Sequence, residues 1–154
     1  MNHRIFRNTP LGRIGIEENG NAVVRLYLPG SLPDGAPAAE TETPLLREAF
    51  RQLQEYADGK RRDFDLPLEP SGTPFLEKVW EELLHIPYGK TASYKEIAER
   101  VGSPKACRAV GQANHRNPIA IFIPCHRVIA ADGSLGGYGG GLDMKRRLLE
   151  LESR

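Results

Sequence analysis

The chain has 154 residues, 40% hydrophobic and 27% charged, with a formal net charge of +1. This is the make-up of a soluble globular protein with a sizeable core, as one domain or two small ones. With only two cysteines it excludes a disulfide scaffold, and no apolar run is long enough to span a membrane. The first residues, Met1-Asn2-His3-Arg4-Ile5-Phe6, lack the apolar core of a signal peptide. The expected location is therefore cytoplasmic, with Cys107 and Cys125 reduced.

The small net charge hides an asymmetry. Residues 1–72 carry a net −2 and residues 73–154 a net +3, and Lys90 to Arg127 holds seven basic side chains against two acidic ones. That excess fits a phosphate-facing surface, although a solvated helix face would give the same count.

In chain order, residues 3–28 read as β structure. Ile14 and Ile16 alternate with smaller or polar neighbours, and Val23, Val24, Leu26 and Leu28 follow the hairpin signal Asn19-Gly20. Thr9-Pro10-Leu11-Gly12 reads as a second turn. Pro29 to Glu42, rich in proline, glycine and alanine, reads as a surface loop. Thr43-Pro44 then opens a helix with threonine as N-cap and proline at its first position, and Asp58-Gly59 closes it. Asp63 to Leu68 reads as a short edge strand, and Glu69-Pro70-Ser71-Gly72 as a linker.

The second part, 73–154, reads as mainly helical. Thr73-Pro74 repeats the helix-start signal, with Phe75, Leu76, Val79, Trp80, Leu83 and Leu84 on the apolar face and Ile86-Pro87 at the end. Ser93-Tyr94-Lys95-Glu96 is a capping box whose helix runs to about Val101. Gly102-Ser103-Pro104 breaks it, and a second short helix runs from Ser103-Pro104 to about Asn114, carrying Lys105 and Arg108. Two short helices around a glycine-containing turn make a helix-turn-helix pattern. The final helix spans about Leu142 to Glu152.

Between these helices lies the most apolar run, Ile119 to Ile129, with Pro124-Cys125-His126 at its centre. Its β-branched and aromatic residues read as a buried strand, which Pro124 must end or bend. Cys125 therefore stands where the core stops. A thiol attacks as thiolate and needs a base or a positive field. His126 is adjacent, but strand neighbours point to opposite faces, so contact requires a broken strand or a bridging water. Glu150 or Glu152 on the last helix is available to orient the imidazole. After a turn at Ala130 to Ser134, Leu135 to Gly141 holds five glycines in seven residues, a loop that lets a ligand approach the backbone. It lacks the GxxxxGK[ST] order of a nucleotide loop. The histidines and cysteines form no CxxC or HxxxH spacing, so no metal is expected.

Pro124-Cys125-His126-Arg127-Val128, preceded by its apolar run, resembles the active-site motif of the O6-alkylguanine-DNA alkyltransferases. The likeness extends to Ser93 through Ala98, to Pro104 through Gly111 as a recognition helix, to Asn117-Pro118 as a hinge, and to Gly136 through Leu142 as a substrate loop. The resemblance implies an α+β protein. A small sheet-plus-helix domain (1–70) precedes a mainly helical, winged-helix-like domain with the helix-turn-helix (73–154). The implied activity is single-turnover transfer of the alkyl group of O6-alkylguanine, and of O4-alkylthymine, in duplex DNA onto Cys125, with no cofactor and as a monomer.

By position the resemblance gives His126 the role of base through a bound water and Glu152 that of its partner. Tyr94 becomes the proton donor to the departing guanine, Asn117 the hinge, and Arg108 the side chain that fills the stack when the base is flipped. It implies further DNA contacts from Ser93, Lys105, Ala109 and Arg116, and a guanine pocket of Val128, Tyr138, Gly139 and Gly140. Small residues at Ala120 and Gly139, where some members carry larger ones, suggest a wider pocket. The alternative is a non-catalytic reader of alkylated DNA, which the presence of Cys125 opposes.

Overall fold

The computed structural model describes residues 2–31 and 40–154. The middle of the loop expected over Pro29 to Glu42, residues 32–39, lies outside the described residues. The chain forms two compact units, one drawn from Met1–Pro70 and Pro118–Ala120, the other from Ser71–Asn117 and Ile121–Arg154.

In the first unit, β1 (His3–Thr9), β2 (Gly12–Glu18) and β3 (Val23–Tyr27) form an antiparallel meander in that order. Both expected turns are present. The Thr9 hydroxyl donates to the Gly12 carbonyl at 2.7 Å, and the Asn19 side-chain oxygen accepts from the backbone of Asn21 and Ala22 at 3.0 and 2.9 Å. Alternation buries Ile14 and Ile16 of β2, and a register shift in the β2–β3 pairing lets Val23 and Leu26, three residues apart, be buried with them. Helix α1 (Pro44–Ala57) packs on the sheet and buries Leu46, Ala49, Phe50, Leu53 and Tyr56. Thr43 caps it, accepting from Leu46 N at 3.2 Å. Such a cap contributes about 1 kcal/mol.

Asp63 to Leu68 does not form the expected strand. Only Leu68 bridges, to Val23, whose N–H donates to the Pro67 carbonyl at 2.9 Å. Pro67 has no N–H for a ladder, and Gln52 of α1 takes both backbone groups of Asp65, at 3.1 and 2.8 Å.

The second unit contains α2 (Pro74–Leu83), β4 (Ala92–Ser93), α3 (Tyr94–Arg100), α4 (Cys107–His115), β5 (Val128–Ile129) and α5 (Leu142–Glu152). Trp80 of α2 is buried, its indole N–H donating to the Ala113 carbonyl at 2.8 Å, so α2 is fastened to α4 as well as packed on it. The Ser93–Glu96 capping box is formed on both sides.

Helix α4 starts at Cys107, four residues later than the sequence pattern suggests. Ser103 to Ala106 closes instead as a turn, with Ala106 N–H donating to the Ser103 carbonyl at 2.9 Å. Lys105 therefore sits in the turn before α4, not on it.

The run Ile119 to Ile129 also departs from the expected strand. Residues 119–128 are all buried, but they are not a strand. Ile119 bridges Leu26 in the first unit, Ile121 takes φ = 72°, Cys125–Arg127 is a 3₁₀ turn, and only Val128–Ile129 forms a strand, parallel to β4. A continuous apolar run records burial without fixing conformation. A β-branched residue at positive φ is strained, and here it is held by being 1% exposed.

Candidate active site

Asn117, directly after α4, donates from its side-chain amide to the Ile123 carbonyl at 2.9 Å. This closes the irregular segment ahead of Pro124 and delivers Cys125, 4% exposed, at the start of the 3₁₀ turn. At three residues per turn, neighbouring side chains fan about 120° apart, so Cys125 and His126 diverge without pointing to opposite faces.

His126 is fully buried. Its Nε2 lies 2.7 Å from Oε2 of Glu152, the last residue of α5. The carboxylate accepts there, so the proton sits on Nε2 and the basic lone pair on Nδ1. Nδ1 is buried with no protein hydrogen bond among the described residues. Of the two glutamates left open by sequence, Glu150 is exposed. Arg127 grips the same carboxylate, Nε to Oε1 at 2.8 Å and Nη2 to Oε2 at 3.0 Å.

Burial pushes the Cys125 thiol up, opposed by the Asn117 side chain, the Lys145 charge and a hydrogen bond with Tyr138. Burial pushes His126 down, opposed by Glu152 and reinforced by Arg127 and Lys145. The resting pair is a neutral thiol and a neutral imidazole, so nucleophilicity must be generated by proton transfer. Chemical probing should reflect this: a bulky disulfide reagent modifies half-buried Cys107 in a fast phase and Cys125 in a slow one. Equal rates would mean that Cys125 is open or already ionised.

Lys145 is one residue the sequence reading missed. Its side chain is fully buried on α5, and Nζ donates to the carbonyls of Val128 (2.6 Å), Leu135 and Gly137 (3.2 Å). It thus ties the glycine loop to the strand that leaves the cysteine. The available signal was spacing: Lys145, Leu148 and Glu152 stand at i, i+3 and i+7, on one helical face.

A cavity of about 240 Å³ opens over Cys125. Of the expected residues it is lined by Tyr94, Cys125, Tyr138 and Gly139, and α4 adds Gly111 and Asn114, which sequence had not singled out as wall residues. Tyr94 is half-buried, and burial raises its hydroxyl pKa despite a lowering backbone hydrogen bond from Gly137. The loop comes so close that a Cβ on Gly136, which has φ = 70°, would lie 2.6 Å from the Tyr94 hydroxyl. Any side chain there is doubly opposed.

Other expected residues lie elsewhere. Val128 is fully buried, its carbonyl engaged by Lys145; neither it nor Gly140 is a lining residue. Ala120 is buried in the first unit and does not line the cavity, so only Gly139 bears on pocket width. Arg108, Lys105 and Arg116 are exposed, Ala109 is partly exposed, and Ser93 caps α3. No cluster of three or more potential ligands among the described residues could hold a metal, and no described helix is long and apolar enough to cross a membrane.

A buried thiol next in sequence to an imidazole–carboxylate pair, at the wall of a cavity lined from a helix-turn-helix, defines a cysteine-nucleophile protein built on a DNA-reading scaffold. The chain belongs to the 6-O-methylguanine DNA methyltransferase family: that family's ribonuclease-like domain matches residues 2–70 and its DNA binding domain residues 74–154. It is 49% identical over 160 residues to the constitutive methylated-DNA–protein-cysteine methyltransferase of Bacillus subtilis, covering 99% of this chain and 96% of that one. It is 51% identical over 146 residues to the enzyme of that name from Methanosarcina barkeri, covering 94% and 92%. Among solved structures, Mycobacterium tuberculosis OGT in complex with DNA superposes with a TM-score of 0.92 at 43% identity, covering 98% of this chain and 92% of that one.

Proposed function

We propose that this chain repairs DNA directly, taking the alkyl group of O6-alkylguanine, and of O4-alkylthymine, in duplex DNA onto Cys125 once per molecule, as a cytoplasmic monomer. The observation that carries this reading is the thiol at the cavity wall, followed in the same 3₁₀ turn by an imidazole that is hydrogen-bonded to Glu152. The thiol proton passes through a water to Nδ1 of His126, and Glu152 stabilises the imidazolium. The thiolate attacks the alkyl carbon: an S–C bond forms, the C–O6 bond breaks, and its electron pair stays on the guanine. Tyr94 supplies a proton to the departing base, because an anionic leaving group departs poorly unless stabilised. The thioether has no route back to thiol, so turnover stops at one.

Asn117 holds the cysteine segment in register with α4. Arg108 is exposed on α4 and suited to fill the gap left by a flipped base. Unstacking costs a few kcal/mol, which an intercalated side chain offsets. Ser93, Lys105, Ala109 and Arg116 supply the surrounding backbone contacts. Tyr138 and Gly139 hold the base, on the loop that Lys145 ties to the Val128 carbonyl.

Intact-mass spectrometry after mixing with a duplex carrying one O6-methylguanine tests this, with Cys125→Ala as the blank. One added methyl group, mapped to Cys125 and stopping at one per protein, is the expected result. Tight binding without a mass change would instead make the chain a lesion reader.

A further inference from the structure

The repair reading above uses Cys125, His126 and Glu152, but not Arg127. Yet Arg127 is 6% exposed and places every branch of its guanidinium. Nε and Nη2 fork onto the two oxygens of Glu152, Nη1 donates to the Ile86 carbonyl at 2.7 Å, and the group lies 5.7 Å from the Tyr88 ring centroid. Oε2 of Glu152 is therefore shared between a guanidinium at 3.0 Å and the His126 ring at 2.7 Å.

This sharing addresses a conflict in the design of the site. A carboxylate against a buried imidazole orients it, but also favours its protonated form, and a protonated imidazole cannot accept a proton from the thiol. An arginine stays charged at any working pH and matches a carboxylate with two parallel hydrogen bonds. With the fork in place, Glu152 enters the His126 hydrogen bond already balanced.

We infer that Arg127 is the counter-charge that keeps His126 neutral at rest while Glu152 holds it in position, making Arg127 a positioning residue for alkyl transfer. The other charged and titratable groups around the ring do not replace it. Lys145 on α5 is engaged by three carbonyls, Cys125 is a neutral thiol at rest, and Tyr88 faces the guanidinium. Helix α2 packs against the turn but carries Glu77, Lys78 and Glu81 on its exposed side, and Glu82 pairs with Arg100. The inference rests on the proposed repair function only for its consequence in rate; the protonation state of His126 is measurable without any transfer.

The test is the His126 titration, read by NMR of labelled imidazole in the full chain, beside the pH profile of single-turnover transfer. Arg127→Met should raise the His126 pKa by about 1–3 units, as expected when an adjacent carboxylate is left unbalanced. The acid limb of the rate profile should move up with it. The double variant Arg127→Met/Glu152→Gln removes both charges and should bring the pKa back towards the wild-type value. A purely structural arginine would leave the titration unmoved. If Arg127→Met alone does not fold, Glu152→Gln and the double variant carry the same comparison, and adding Arg127→Met to Glu152→Gln should again raise the pKa. An unchanged His126 titration in either comparison overturns the inference. Failure of the wild type to take up any alkyl group overturns the repair reading instead, and leaves the titration result standing.

Discussion

Replacing His126 by glutamine slows alkyl transfer by roughly 10²–10⁴-fold near neutral pH, the range over which a positioned general base acts. The reason lies in the resting state of the thiol. Burial holds Cys125 above its ordinary pKa, so the spontaneous thiolate fraction is small, and the imidazole must remove the proton as attack proceeds. The pH profile separates this role from scaffolding. In the wild type the rate falls only as pH drops through the His126 pKa, which burial depresses below its ordinary value of about 6.5. In the glutamine variant the rate climbs with hydroxide, because the thiol must ionise unaided. The defect therefore narrows steadily as pH rises towards the Cys125 pKa, which burial holds above the ordinary range of a thiol. Folding should survive, since Glu152 keeps its Arg127 fork and the new amide can donate to Oε2. Quenched single-turnover rates across pH, with melting temperatures alongside, check the prediction. A loss equal at every pH, with lowered melting, would mean that the imidazole only fills space.

Local chemistry was legible in the sequence wherever one residue type decides the outcome. Asn19-Gly20, Thr43-Pro44, Thr73-Pro74 and the Ser93–Glu96 box mark turns and helix starts because each satisfies specific backbone groups, and all four appear as expected. The buried run around Cys125 was legible as burial but not as conformation. Whether Ile119 to Ile129 is a strand depends on partners distant in sequence, and Leu26, Ala92 and Ser93 meet only its ends. The start of α4 failed for a related reason. Ser103-Pro104 resembles a cap, but the turn closing on Ser103 takes the backbone group that would have begun the helix. For the site, motif spacing led to Cys125, His126 and Tyr94. It did not lead to the charges that set their ionisation. Lys145 and Arg127 look like ordinary surface cations until the backbone carbonyls and the carboxylate that receive them are seen.

Lys145→Met is expected to damage both stability and rate, in separable ways. The ammonium serves three carbonyls, and they are not equivalent. The bond to Val128 is fully buried, whereas those to Leu135 and Gly137 are partly open and can be taken over by water. The loss in unfolding free energy should therefore be set by the single buried acceptor, about 1–3 kcal/mol, not by three. Rate suffers twice. The positive charge that lowers the Cys125 thiol is gone, and each unit by which the thiol pKa rises costs about tenfold in thiolate. The glycine loop is also released from β5, so the wall carrying Tyr138 and Gly139 must be ordered by the incoming base at a cost in binding. Lys145→Arg keeps the charge but offers a planar fork in place of a point donor, and should retain more of the thiol effect than of the tether. Because Lys145 is fully buried, affinity for undamaged duplex should be the same in all three proteins. Urea titration, the Cys125 thiol titration and transfer rates measured together decide the matter. A methionine variant with unaltered thiol titration and full transfer rate would reduce Lys145 to a strut in the fold.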